Sequence, residues 1–232
     1  MENIEIPCRY NTIISSLKKY YLYRDKSHDF DHVEKVCKNA LYIYNTIGLI
    51  PEKNDDDEII IVISSLGHDI WDHKYITDNK DINSIKDEFT TTLSICNVPN
   101  VIIMKCIKII DSISLSNEYA LRLSGKTLEL DPEIRFIRNI VSDADKLESL
   151  GLVCVERMIE YGMHNNIVDN AEHVFHIKRH SLTKLYNLLD DNYIITDIGR
   201  TLAEHLMKEL KNIVDNDDIL RETIRKYVNK DI

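Results

Sequence analysis

Breakers are scarce in this chain: six glycines and four prolines punctuate 232 residues. Between them, apolar residues recur at spacings of three and four, the period that lines up side chains on one face of a helix. Sheet proteins need turn residues far more often, so the pattern predicts an all-α fold, a single-domain helical bundle. Helices are expected over about 11–22, 30–48, 82–96, 100–113, 132–161, 170–190, 197–214 and 218–229. The run EIIIVISSL at 58–66 is β-branched enough to read as a buried strand, but the helical patterns on either side favour a buried helix. Asp55, Asp56 and Asp57 precede it, where negative charge complements a helix N-terminus. Ser27, Asp29 and Asp31 offer N-caps for the helix that begins near Phe30. The stretch 114–131, with Ser124, Gly125 and Lys126, reads as a loop or lid.

A chain of 232 residues can bury one large core, and no linker or internal repeat divides it, so one domain over 1–232 is expected. Five cysteines (Cys8, Cys37, Cys96, Cys106, Cys154) are odd in number, scattered and free of any CxxC pair, which fits reduced thiols in a cytoplasmic compartment. No apolar run approaches the roughly 20 residues of a membrane span, and MENIEIPCRY has neither the basic start nor the apolar stretch of a signal peptide. A formal charge of −10 argues against tight binding of polymeric nucleic acid, which needs a surplus of Lys and Arg. A small phosphorylated ligand, held by a metal and a few local cations, is compatible with that charge. Oligomeric state leaves no trace in the sequence.

Three clusters carry the chemistry. His28, Asp29, Asp31 and His32 lie within five residues; His68, Asp69, Asp72 and His73 follow the buried apolar run; Asp143 and Asp145 sit in SDADKLESLG among helical apolar residues. A His-Asp pair at the end of a buried helix is costly, because desolvating an ionised carboxylate requires a neutralising partner. A divalent cation is such a partner. Two imidazoles and two carboxylates balance its charge and leave positions for water and a phosphate oxygen. Mixed nitrogen and oxygen ligation suits Mn²⁺, Fe²⁺, Co²⁺ or Ni²⁺ better than Mg²⁺, with Mn²⁺ favoured. Such an ion lowers the pKa of water and polarises phosphorus. Lys74 and Lys146 are close enough in sequence to the ligands to touch a substrate phosphate. On helical geometry alone, Asp143 and Asp145 are equivalent candidates, about 200° apart at the edge of the apolar stripe.

In this order the clusters resemble the HD-domain phosphohydrolase superfamily, defined by a histidine, then His-Asp, then Asp. SHDFDHVEKV resembles its opening helix, whose second histidine, here His32, is the first metal ligand. LGHDIWDHKY resembles the segment with the paired ligands, giving His68 and Asp69. SDADKLESLG resembles the segment of the last ligand, and the resemblance selects Asp145, leaving Asp143 a supporting role. Several superfamily members carry an acidic residue four positions after the His of the pair, to position or deprotonate the attacking water; this implies Asp72 as general base. HSLTKLYNLL and TDIGRTLAEHLMKEL resemble the tail of a compact bacterial branch that hydrolyses nucleotides, which implies His180 and Lys184 as substrate-binding residues. The likeness runs from about residue 20 to 210 and is weak over 114–131. Lys35 stands where relatives often have Arg, which weakens the case for a phosphate contact there.

The resemblance implies a helical domain of the HD type, with a metal core over about 20–160 and helices 170–230 packing on it. It implies a divalent-metal-dependent phosphohydrolase acting on small nucleotides, with (deoxy)nucleoside triphosphate cleavage to monophosphate and pyrophosphate the leading outcome. A 5'-nucleotidase or triphosphohydrolase of the same superfamily, and a non-catalytic metal- or nucleotide-binding module, are the alternatives. Dinuclear members use further histidines between the His-Asp pair and the final Asp. Only His73 lies there, so one ion per chain is expected.

Overall fold

The computed structural model describes residues 4–24, 28–48, 53–72, 81–167 and 170–229, and every regular element among them is helical. Packing divides the chain into two compact units, one ending at Asp145 and the other beginning at Lys146. The metal core expected over 20–160 therefore closes at 145, inside a helix.

In the first unit, α1 (Asn11–Lys18) tightens into a 3₁₀ turn at Lys19–Tyr21, and α2 runs Phe30–Thr46. α3 (Asp57–Gly67), α4 (Ile82–Ile95) and α5 (Asn100–Ile113) follow. α3 packs against α2, α5 and α1, and α4 packs against α5 and α1. The run 58–66 is thus a helix. Ile60, Ile61, Val62, Ile63, Ser64, Ser65 and Leu66 are all fully buried, and a helix that is apolar on every side belongs inside. Its N-terminus is closed by its own Asp57, whose Oδ2 accepts from the Asn54 N–H at 2.8 Å and the Tyr44 hydroxyl at 3.2 Å. α2 buries Val33, Val36, Cys37, Ala40 and Leu41, the stripe expected of it.

Two expectations are corrected. The stretch 114–131 is not all loop: it contains α6 (Leu115–Leu123), which buries no residue. In place of a core face, Glu118 holds it, meeting Arg122 one turn on at 2.8 Å and the buried Arg138 at 3.1 Å. The helix expected over 132–161 is two, α7 (Pro132–Leu147) and α8 (Gly151–His164). Ser149 N–H donates to Lys146 and Leu150 N–H to Leu147 in tight turns, and Gly151 follows at φ +69°, a left-handed conformation that stops a helix.

The second unit contains α8, α9 (Asn170–His180), α10 (Asp197–Val214) and α11 (Asp217–Val228). α10 packs on α8 and α11, and α11 packs on α9. α9 runs on into a π turn at Ser181–Leu185. Where α8 meets α9, Gly162 is required by contact: a Cβ there would lie 2.6 Å from the His173 ring. Among the described residues no helix is long and apolar enough to cross a membrane.

Candidate metal centre

The site starts with a cap. Asp29, extended at ψ −174°, accepts the His32 N–H at 3.2 Å and so fixes the first turn of α2. His32 then heads the buried face of that helix, with its side chain 3% exposed.

His68 and Asp69 come from the opposite kind of terminus. α3 ends at Gly67, where a Cβ would lie 2.9 Å from Ile110 and 3.3 Å from Phe89, so the chain approaches α4 and α5 closely before it turns. Ile70 N–H to Gly67 and Asp72 N–H to Asp69 close short turns in place of the helical ladder. Carbonyls left over at a helix end need partners, and side chains provide them here. The Tyr21 hydroxyl donates to Leu66 O at 2.6 Å, and Arg24 donates to Ile70 O at 3.0 Å. His68 Nδ1 lies 2.8 Å from Ser65 O. That last bond places the imidazole proton on Nδ1 and leaves the Nε2 lone pair pointing away from its own helix, the arrangement that orients a metal-binding histidine.

Asp145, on α7, completes the group. Its Oδ1 stands 3.4 Å from His32 Nε2 and 3.5 Å from His68 Nε2. Asp69 faces both rings, Oδ1 at 3.4 Å from His68 and Oδ2 at 3.8 Å from His32. His32, His68 and Asp145 form the tightest trio, with one donor atom from each within 4.8 Å of the others. These separations exceed the roughly 2.7–2.9 Å of a charge-assisted hydrogen bond. They leave room between the atoms for an ion about 2.1 Å from each. His68 Nε2 and Asp69 Oδ2 are buried and make no hydrogen bond, although each faces opposite charge. Buried polar atoms that converge in this way fit a divalent cation in their midst.

The electrostatics agree. Burial disfavours an imidazolium at His68, but the Asp69 and Asp145 carboxylates outweigh it and push its pKa up to about 9. Burial raises both carboxyls, yet His68 and His32 hold Asp69 below the usual carboxylate range and Asp145 well below it. The cluster thus binds positive charge, which a proton supplies when no cation does. Asp145, with 31% of its side chain exposed against 3% for each histidine, marks the solvent side.

The structure brings together His32, His68, Asp69 and Asp145, and it prefers Asp145 to Asp143, which is fully buried. Other expected residues fare differently. Asp72 is half-buried, but α3 does not continue to it, so the four-residue spacing no longer stacks it over His68. Lys146 is not a substrate contact: it is 3% exposed, and its ammonium donates to Tyr193 O at 2.7 Å. Lys74 lies outside the described residues. His180 and Lys184 are exposed in the second unit. Along α9 and the π turn after it, His176, His180 and Lys184 form an exposed stripe at four-residue spacing, while His173 is buried beneath Gly162 and does not face solvent. Sequence reasoning missed Tyr21 and Arg24, which secure the turn carrying His68 and Asp69. It also left His28 without a role, though its ring stands 6.3 Å from that of His32. The doublet His28-Asp29, four residues before His32, was the available signal.

No protein-family model matches the sequence, and no curated protein matches it. Solved structures do. A structural-genomics protein of Lactobacillus plantarum is similar with a TM-score of 0.63 at 19% identity, over 91% of this chain and 96% of its own. YpgQ of Bacillus subtilis, solved in complex with ADP, is similar with a TM-score of 0.61 at 20% identity, over 87% of this chain and 94% of its own. The Lin1889 protein of Listeria innocua is similar at 0.58 and 20% identity, over 90% of this chain and 94% of its own. These likenesses establish that this all-α arrangement recurs in known proteins.

Proposed function

We propose that this chain is a divalent-metal-dependent phosphohydrolase acting on small nucleotides, of the HD-domain type. The observation that carries the reading is the convergence of His32, His68, Asp69 and Asp145, whose imidazole nitrogens and carboxylate oxygens lie 3.4–3.8 Å apart. That ligand set is charge-neutral around a dication and contains no thiolate, which favours Mn²⁺ and accommodates Co²⁺, Ni²⁺, Fe²⁺ or Mg²⁺. The ion, when bound, supplies Lewis acidity toward a phosphoryl oxygen and makes water acidic near neutral pH. The chain's own residues do the rest. Ser65 O holds the His68 tautomer, and Asp29 fixes the turn that presents His32. Asp72, at the end of the turn after the ligand pair, takes the proton of the attacking water.

A nucleotide substrate is supported by the bound ADP in the similarly folded YpgQ. Nucleoside triphosphates are the substrate class we favour, with monophosphate and pyrophosphate as products. Five free cysteines suit a reducing compartment, and we place the enzyme in the cytoplasm. The test is a nucleotide panel with Mn²⁺, Co²⁺, Ni²⁺ and Mg²⁺, read by product identity. Triphosphates yielding monophosphate and pyrophosphate are expected. Intact metal binding with no turnover of any phosphate ester would overturn the reading.

A further inference from the structure

We infer that His28 is a substrate-binding residue that receives the phosphate chain of the nucleotide at the open edge of the metal centre; this rests on the phosphohydrolase reading above. Three imidazoles stand in a row. The His32 and His68 rings are 5.3 Å apart at 74°, and the His28 and His32 rings are 6.3 Å apart, also at 74°. The first pair is spaced as two ligands of one ion. His28 stands on the other ring contact of His32 and is half-buried, so its ring is partly open to solvent.

Charge gives that position a purpose. Two carboxylates neutralise a divalent ion, so the loaded centre has no net attraction for a polyphosphate and must recruit donors from its rim. Lys146, which its place in the sequence recommended for this task, is bonded to the Tyr193 carbonyl instead. The His28 ring stands 6.3 Å from that of His32, so a phosphate drawn to an ion beside His32 falls within its reach. Asp29, its neighbour, caps α2 by accepting the His32 N–H, which places His28 just before the turn that bears the first ligand. A histidine there donates N–H to a phosphate oxygen without competing for the ion.

The test separates binding of metal from binding of phosphate. His28→Gln and His28→Ala are loaded with Mn²⁺ beside the wild-type chain, ion content is measured per chain, and a nucleoside triphosphate with a non-hydrolysable α,β-methylene bridge is titrated calorimetrically. The expected result is unchanged Mn²⁺ content and a loss of nucleotide affinity of about tenfold or more, larger for Ala than for Gln. Equal affinity in all three proteins overturns the role of His28 and leaves the phosphohydrolase reading intact. Loss of Mn²⁺ from both variants also overturns it, by making His28 a ligand. A wild-type chain that holds Mn²⁺ but neither binds nor cleaves any nucleotide removes the phosphohydrolase reading, and this inference with it.

Discussion

His32 and His68 in the first unit, and His176 and His180 in the second, all project from helices with carboxylates or cations close by. His176 Nε2 lies 3.7 Å from Glu172 with both side chains about half exposed, at 51% and 53%. His68 Nε2 lies at almost the same separation, 3.5 Å, from Asp145, but it is 3% exposed. Solvent makes the first contact worth little, because an exposed pair is screened and costs side-chain freedom to hold. The second takes charge out of water and must be neutralised by its surroundings. Spacing on a helix cannot distinguish the two. What does is whether the backbone delivers the ring into the core against an opposing carboxylate.

That contrast breaks most sharply at Asp145. Asp145→Ala leaves His32 and His68 facing one fewer carboxylate. Mn²⁺ content should fall from about one ion per chain to a small fraction, and turnover by more than the roughly 100-fold lost with a mere outer-shell partner. Elemental analysis of the purified variant and a nucleotide assay check both. If Asp145→Ala retains the ion, the buried cluster is no different from the exposed stripe.

The next largest effect concerns pH. The His68 pKa is raised in the folded protein from 6.5 to about 9. A histidine shifted upward stabilises the fold fully below its unfolded pKa and loses that contribution as pH rises through the folded one. Metal-free protein should therefore lose melting temperature between about 6.5 and 9 on account of this group. A bound dication requires the neutral imidazole, so the shift produced by Mn²⁺ should grow over the same window. Thermal melts with chelator and with Mn²⁺, taken every half pH unit, would expose a parallel pair of curves if the cluster does not exchange protons for metal.

Two glycines refine the comparison. Gly67→Ala pushes a Cβ against Ile110 and Phe89, and Gly162→Ala pushes one against the His173 ring. Each should cost about 1–3 kcal/mol in chemical denaturation, as overpacking does. Only Gly67→Ala should also weaken Mn²⁺ binding, because it displaces the turn that bears His68 and Asp69. Equal loss of metal in both variants would mean that general destabilisation, and not ligand placement, controls the ion.

Most of the helices were legible because apolar spacing reports a buried face. α2 follows from its own residues, and α3 from the helical patterns on either side of it. α6 was missed for the converse reason: it buries nothing, being held through Glu118 to Arg122 and Arg138, and a helix without a stripe has no period to read. The break between α7 and α8 was written in Gly151, but a lone glycine in a helical pattern costs only about 1 kcal/mol, too little to announce that it adopts φ +69°. Among the site residues, the histidines and Asp69 were suggested by residue type and order, whereas Asp145 was chosen over Asp143 by the family resemblance alone. Lys146 was misplaced by an argument from sequence proximity, and Asp72 lost the helical stacking that had recommended it. α3 ends at Gly67, and Lys146 turns to a carbonyl 47 residues away.

The smallest effect tests the exposed stripe itself. Lys184→Ala removes a solvated ammonium from the π turn after α9, where neighbouring Leu185 and Ser181 are buried but Lys184 is not. Stability should change by no more than about 0.5 kcal/mol, as for surface substitutions generally, and Mn²⁺ content not at all. If Lys184 meets a phosphate, the contact is an exposed ion pair worth at most about 1 kcal/mol. The KM for a nucleoside triphosphate should then rise no more than roughly fivefold while kcat holds, since an interaction made equally in ground and transition states acts on KM alone. A fall in kcat at constant KM would instead show that Lys184 acts on the transition state and is more than a solvated cation.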